Sequence, residues 1–226
     1  FFNKFCQNID NYKALMKKSR HGHPWLTPET SIVKTEKNRR EEIFEDAWQA
    51  GGLRFRECFG DTLTNQDSNE LISKFIKSKI RSLVKNQETA RVLTKFDYPF
   101  GTKRPALDTD YFETFNTSNV HLIDLKKSPI KKFISKGLET SFGQYALDVI
   151  VFATGFDALT GSILKIDFKG KDNVRLIDSW KEGAKTYLGL QVNNFPNLFF
   201  ITGPGSPSVL TNMPQSIDHN VTWITD

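Results

Sequence analysis

The side chains best placed for chemistry lie in "FGTKRPALDTDYFETFN", residues 100–116. A Gly-Thr turn is followed there by two adjacent cations, Lys103 and Arg104, and then by Asp108, Asp110 and Glu113. Neighbours in extended backbone point opposite ways, so each cation can face a different anion. Lysine offers a compact charge suited to a monophosphate. Arginine stays charged at any working pH and suits a planar or diffuse anion. Spacing alone also fits a solvated surface, and the three carboxylates carry that reading more strongly than an acid–base pair. His21 and His23 in "SRHGHPW" have no nearby Cys or His to complete a zinc set, so no metal site is expected. No GxSxG elbow marks a Ser-His-Asp hydrolase.

Such residues must be positioned by helices first and strands later. Residues 1 to about 97 read as helical. "NRREEIFEDAWQAGG" carries Ile43, Phe44, Ala47 and Trp48 at helical spacing and stops at Gly51-Gly52. "DSNELISKFIKSKIRSLVK" predicts a second helix, with Asp67 as its cap and Glu70 as the capping-box partner. Its apolar face is Leu71, Ile72, Phe75, Ile76, Ile80, Leu83 and Val84, with lysines mainly outside the stripe. "YPFG" at 98–101 ends the helical region. "NVHLID" (119–124) then alternates as a strand does. "YALDVIVFATG" (145–155) predicts a strand buried on both faces of a parallel sheet. "NLFFITGPG" (197–205) repeats the form, an apolar strand ending in glycines. Ligands of such sheets bind at the carboxyl ends of strands, so Gly155 and the glycines at 203 and 205 are candidate site loops. "GPGSPS" is no phosphate cradle, since the third glycine of GxGxxG falls on Ser208 and the P-loop lysine is missing. A helix from Ser206 is expected to aim its N–H groups at an electron-rich partner, a phosphate or the N1–C2=O edge of a flavin.

Composition excludes several classes. The 226 residues are 38% hydrophobic and 25% charged, which is globular rather than disordered or fibrous. No apolar run approaches the roughly 18 residues of a membrane span, and no signal peptide is visible. Cys6 and Cys58 have no CxxC spacing and read as reduced, buried or half-buried thiols. A net charge of +5 suits an anionic ligand. The lysines of the second helix read as the wet side of a core helix, because no nucleic-acid motif accompanies them.

Four stretches in order, "FGTKRPALDTDYFETFN", "VIVFATGFDALTG", "KTYLGL" and "FPNLFFITGPGSPSVLTNM", resemble type I Baeyer–Villiger monooxygenases. The resemblance covers nearly the whole chain and is strongest from Tyr98 onward. It implies an FAD- and NADPH-dependent enzyme that uses O2 to turn a ketone into an ester or lactone. The implied fold class is α/β: a helical insertion of the NADP domain (1–100), a returning segment of that domain (101–152) and a returning, truncated segment of the FAD domain (153–226). Arg104 matches the family's active-site arginine, which stabilises a C4a-peroxyflavin and the oxyanion formed on the ketone. Lys103 matches the lysine that contacts the NADP 2′-phosphate. Met213 matches a methionine beside the FAD, and Ser208, Val209 and Leu210 match the substrate-pocket loop. The implied partners are a small ketone and O2, with neither nucleic acid nor membrane, in the cytoplasm.

Departures from the family pattern are equally definite. Pro214 and Lys185 replace an aliphatic residue and an arginine. Neither GxGxxG fingerprint is present, and FxGxxxHxxxW is absent: His21 and Trp25 have its spacing, but Leu15 and Lys17 stand where its Phe and Gly belong. The chain is therefore expected to be an internal fragment, inactive alone. The alternatives are an N-hydroxylating or S-oxidising flavin monooxygenase, or a non-catalytic binding remnant using the basic helix.

Overall fold

The structure, a computed structural model, describes residues 6–206 and 210–226. In chain order the elements are α1 (Ile9–Lys18), α2 (Lys37–Ala50), α3 (Gln66–Leu83), α4 (Gln87–Leu93), α5 (Tyr111–Thr114), β1 (Ile130–Ile134), β2 (Gly137–Thr140), β3 (Gln144–Ala146), α6 (Leu176–Ser179), β4 (Gln191–Val192), β5 (Phe195–Phe199) and α7 (Met213–Thr225). They form two compact units, one of Glu29–Thr154 and one of Phe1–Pro28 with Gly155–Asp226.

In the Glu29–Thr154 unit the apolar faces of α2 and α3 close around an aromatic core of Ile32, Phe44, Phe55, Phe59 and Ile72. Phe44 meets Phe59 edge-on at 5.5 Å and Phe75 at 5.2 Å. Gly51 stops α2 where the sequence places the stop. The cap of α3 differs from expectation. Asn65, not Asp67, accepts the Ser68 N–H at 2.9 Å. The reason is the neighbouring carboxylate: Asp61 accepts the hydroxyls of Ser31 (2.6 Å) and Ser68 (2.7 Å) and the Ile32 N–H (2.9 Å). That anchor holds Ser68 inside the first turn, so the chain turns into the helix two residues early. The lysines of α3 are engaged locally: Lys79 pairs with Glu45 (2.8 Å), Lys74 with Glu70 (3.3 Å), and Lys77 lies over the Phe96 ring.

The strand region departs more from expectation. β1, β2 and β3 form an antiparallel sheet, β1 beside β2 and β2 beside β3. Residues 119–124 form no strand, residue 119 lying in a turn, and β3 ends at Ala146. The stretch 149–152 is not a buried parallel strand: Val149 is 76% exposed and Val151 82%. A strand of that kind needs a neighbour along each edge and a layer on each face, and no described residue pairs with it. Burial pushes the Cys58 thiol up to about 12, whereas Cys6, expected to be at least half-buried, is exposed.

In the other unit, Leu176, Trp180, Val192 and Phe195 form the core. β5 pairs antiparallel with β4, not in a parallel sheet. α7 begins at Met213 rather than near Ser206. Pro214 sits in its first turn, where the missing N–H costs nothing and the fixed φ suits a helix start, so it opens the helix and does not kink it. No helix among the described residues is long and apolar enough to cross a membrane.

Candidate active site

The cations Lys103 and Arg104 lie on an exposed span held firmly at both ends. At its start stands Phe100. Asn69, buried on α3, donates through Nδ2 to the carbonyls of Phe100 (2.8 Å) and Thr62 (2.9 Å), and its Oδ1 accepts the Phe100 N–H (3.0 Å). A turn follows in which Thr102 bonds the Pro99 carbonyl through both its N–H and its hydroxyl. At the far end, Phe112 and Phe115 pack against Ile80, Val84 and Ala90. Asn116 then binds the end of α3, donating to the Leu83 carbonyl and accepting the Lys85 N–H, each at 2.8 Å. The intervening residues therefore form a strap over α3.

Beneath the strap is a cavity of about 580 Å³ whose lining includes Trp48, Ile80, Phe100, Leu107 and Glu113. Neither Lys103 nor Arg104 belongs to that lining. Lys103 places its Nζ over the Tyr98 ring, 4.9 Å from the centroid. Asp108 and Asp110 are exposed, and Asp108 accepts the Tyr111 N–H at 2.7 Å to start α5. The Glu113 Oε2 atom is buried without a hydrogen-bond partner, which a solvated-surface reading does not anticipate.

The second group of candidates belongs to the other unit. Met213 and Leu210 are half-buried there. Ser208 and Val209 lie outside the described residues. The loop leading to them is braced by "KTYLGL": Thr186 donates its hydroxyl to the Pro204 carbonyl at 2.6 Å. Gly189 approaches Ser206 so closely that a Cβ there would overlap its backbone. Asn220, buried on α7, accepts the Thr202 N–H at 3.1 Å. The first turn of α7 has no acidic residue, and the Asn212 side chain does not cap it. Free N–H groups at such a helix start suit an electron-rich group.

"SRHGHPW" has a structural task that the sequence did not disclose. His23 is buried and stacks on Trp25 at 4.7 Å, and the carbonyls of His21 and Gly22 accept hydrogen bonds from Asn212. The supporting asparagines 69, 116, 212 and 220 were missed by sequence reasoning. Their only sequence signal is an amide side chain on or beside a helix.

No protein-family model matches the chain. It is 45% identical over 188 residues to 2-oxo-Delta(3)-4,5,5-trimethylcyclopentenylacetyl-CoA monooxygenase of Pseudomonas putida, covering 83% of this chain and 34% of that protein. It is 43% identical over 191 residues to a Baeyer–Villiger monooxygenase of Pseudooceanicola batsensis, again covering 83% and 34%. The fold matches the crystal structure of OTEMO in complex with FAD and NADP with a TM-score of 0.94 and 37% identity, over 98% of this chain and 41% of that one. The fold class is thereby defined as α/β: a helical insertion followed by incomplete parts of two dinucleotide-binding, Rossmann-like domains, as in that FAD- and NADP-bound structure. More narrowly, the chain is homologous to the Baeyer–Villiger monooxygenases, and it spans about a third of the length of the curated relatives it matches.

Proposed function

We propose that the protein is an FAD- and NADPH-dependent Baeyer–Villiger monooxygenase acting in the cytoplasm. A small ketone, O2, NADPH and a proton enter; an ester or lactone, water and NADP+ leave. The observation that carries this reading is the homology to a named Baeyer–Villiger monooxygenase across the span that bears Lys103 and Arg104. The residues present fit the cofactors in kind. The open first turn of α7, with Met213 at its start, suits the electron-rich edge of a flavin. Lys103, whose ammonium rests on the Tyr98 ring, suits the 2′-phosphate of NADPH. FAD, when bound and reduced by NADPH, would activate O2, from which the inserted oxygen atom comes.

Arg104 then acts as the catalytic cation. Negative charge builds on the ketone oxygen when the carbonyl is attacked. A permanent guanidinium there stabilises that charge without accepting or losing a proton. The strap matters because such stabilisation depends on a charge set in place before the reaction. Its bracing by Asn69 and Asn116 limits how far the cation can move as charge develops. Leu210, with Ser208 and Val209, is assigned to the wall that selects the ketone. Nucleic acid and membrane have no part in this reading.

The test is Arg104→Ala in the full-length protein with cyclohexanone as substrate. Loss of one such group costs on the order of 3 kcal/mol, so product formation should fall at least about a hundredfold while NADPH still reduces the flavin. Undiminished lactone formation would remove Arg104 from the mechanism. Lys103→Ala should raise the KM for NADPH about tenfold, from loss of one charge-assisted hydrogen bond, and leave that for NADH unchanged. Equal changes for both nucleotides would remove Lys103 from 2′-phosphate recognition.

A further inference from the structure

We infer that Asn212 is a positioning residue for Met213, acting as a clamp between the start of α7 and the His21–Gly22 turn. This rests on the reading that Met213 borders the ketone and flavin site. The clamp has two bonds at one residue. The Asn212 N–H donates to the His21 carbonyl and its Nδ2 to the Gly22 carbonyl, each at 2.8 Å. The same Nδ2 lies 3.5 Å from the Met16 Sδ of α1. Gly22, at φ +70, permits the approach: a Cβ there would lie 3.3 Å from the Asn212 Cβ and 3.2 Å from the Gln215 Cγ.

Two consequences make this more than a loop contact. An asparagine before a helix ordinarily turns its side chain inward to cap the first-turn N–H groups. Here the side chain is spent on Gly22, and the helix start stays open. The clamp also fixes the backbone of the residue directly before Met213. Met213 is unbranched and adaptable, so its position depends on the backbone that carries it. Asn220, one of whose bonds holds Thr202, restrains the upstream turn from the same helix. The turn that resembles a misplaced family motif thus serves as the abutment of the site's helix.

The experiment uses the full-length protein and the variants Asn212→Ala, Met213→Ala and their combination, with flavin content checked for each. Loss of one neutral hydrogen bond of about 1 kcal/mol should raise the KM for cyclohexanone about fivefold in Asn212→Ala, with kcat changed less than twofold. If Asn212 acts through Met213, the same substitution in the Met213→Ala background should change KM less than twofold, since coupled residues are non-additive. An unchanged KM, or an equal effect in both backgrounds, overturns the inference. Hydrogen exchange supplies a readout independent of activity. Asn212→Ala should speed exchange of the amides at 216 and 217 about fivefold and leave those at 222–225 unaltered. Uniform exchange along α7 overturns the clamp even if the full-length protein oxidises no ketone, an outcome that would separately sink the proposed function.

Discussion

The α2–α3 core and the stretch 149–152 have comparable apolar content and opposite fates. Phe44 and Ile72 are 2% and 0% exposed, while Val149 and Val151 stand in solvent. Backbone pairing explains the contrast. A helix satisfies its N–H and C=O groups internally and needs cover on one stripe only. An all-apolar strand satisfies nothing alone and requires neighbours at both edges and both faces. The helical part supplies its own cover across a short span of sequence. The stretch 149–152 forms no strand and pairs with no described residue.

The comparison can be broken most forcefully at Phe44. Phe44→Ala should cost about 4 kcal/mol through lost contacts and an unfilled cavity, read from urea unfolding followed by tryptophan fluorescence. A loss below about 1 kcal/mol would mean that the core is loosely packed. Asp61 comes next. Burial alone would raise its carboxyl, but hydrogen bonds from Ser31, Ser68 and the Ile32 N–H outweigh this and hold it below the ordinary carboxylate range. Its stabilising contribution is therefore complete above about pH 4, where the unfolded carboxyl is ionised, and is lost as pH falls through the lower folded value. Asp61→Ala should cost about 2 kcal/mol at neutral pH and flatten the acid limb of stability against pH; an unchanged acid limb assigns that limb to other groups. The smallest effect belongs to Val151→Asp in the 226-residue chain, within about 0.5 kcal/mol, as for other exposed sites. A loss of several kcal/mol would show that this stretch is covered in solution and would erase the contrast.

The same distinction governs what the sequence made legible. Helices α2 and α3 were readable because their periodicity and their burial are local. The cap at Asn65 was not, because Asp61 draws Ser68 into the first turn across seven residues. The apolar run at 197–201 signalled a strand, realised in part as β5, whereas the run at 149–152 forms none; pairing depends on which segments lie beside a strand, and β5 found β4 in antiparallel register. The adjacent cations were plain in the sequence. Their bracing was not, since an asparagine that reaches 31 residues along the chain, as Asn69 does to Phe100, leaves no periodic trace. The helix expected from Ser206 starts at Met213 because Asn212 is extended and bound elsewhere.

The two thiols of this chain offer a practical consequence. Cys58, with its thiol raised to about 12, holds almost no thiolate at neutral pH, whereas Cys6 is open to solvent. A maleimide dye or nitroxide will therefore label one position of these 226 residues without engineering. That position lies just before α1, the helix whose Met16 lies against the Asn212 side chain. The chain thus carries a built-in reporter site near the segment on which Asn212 rests.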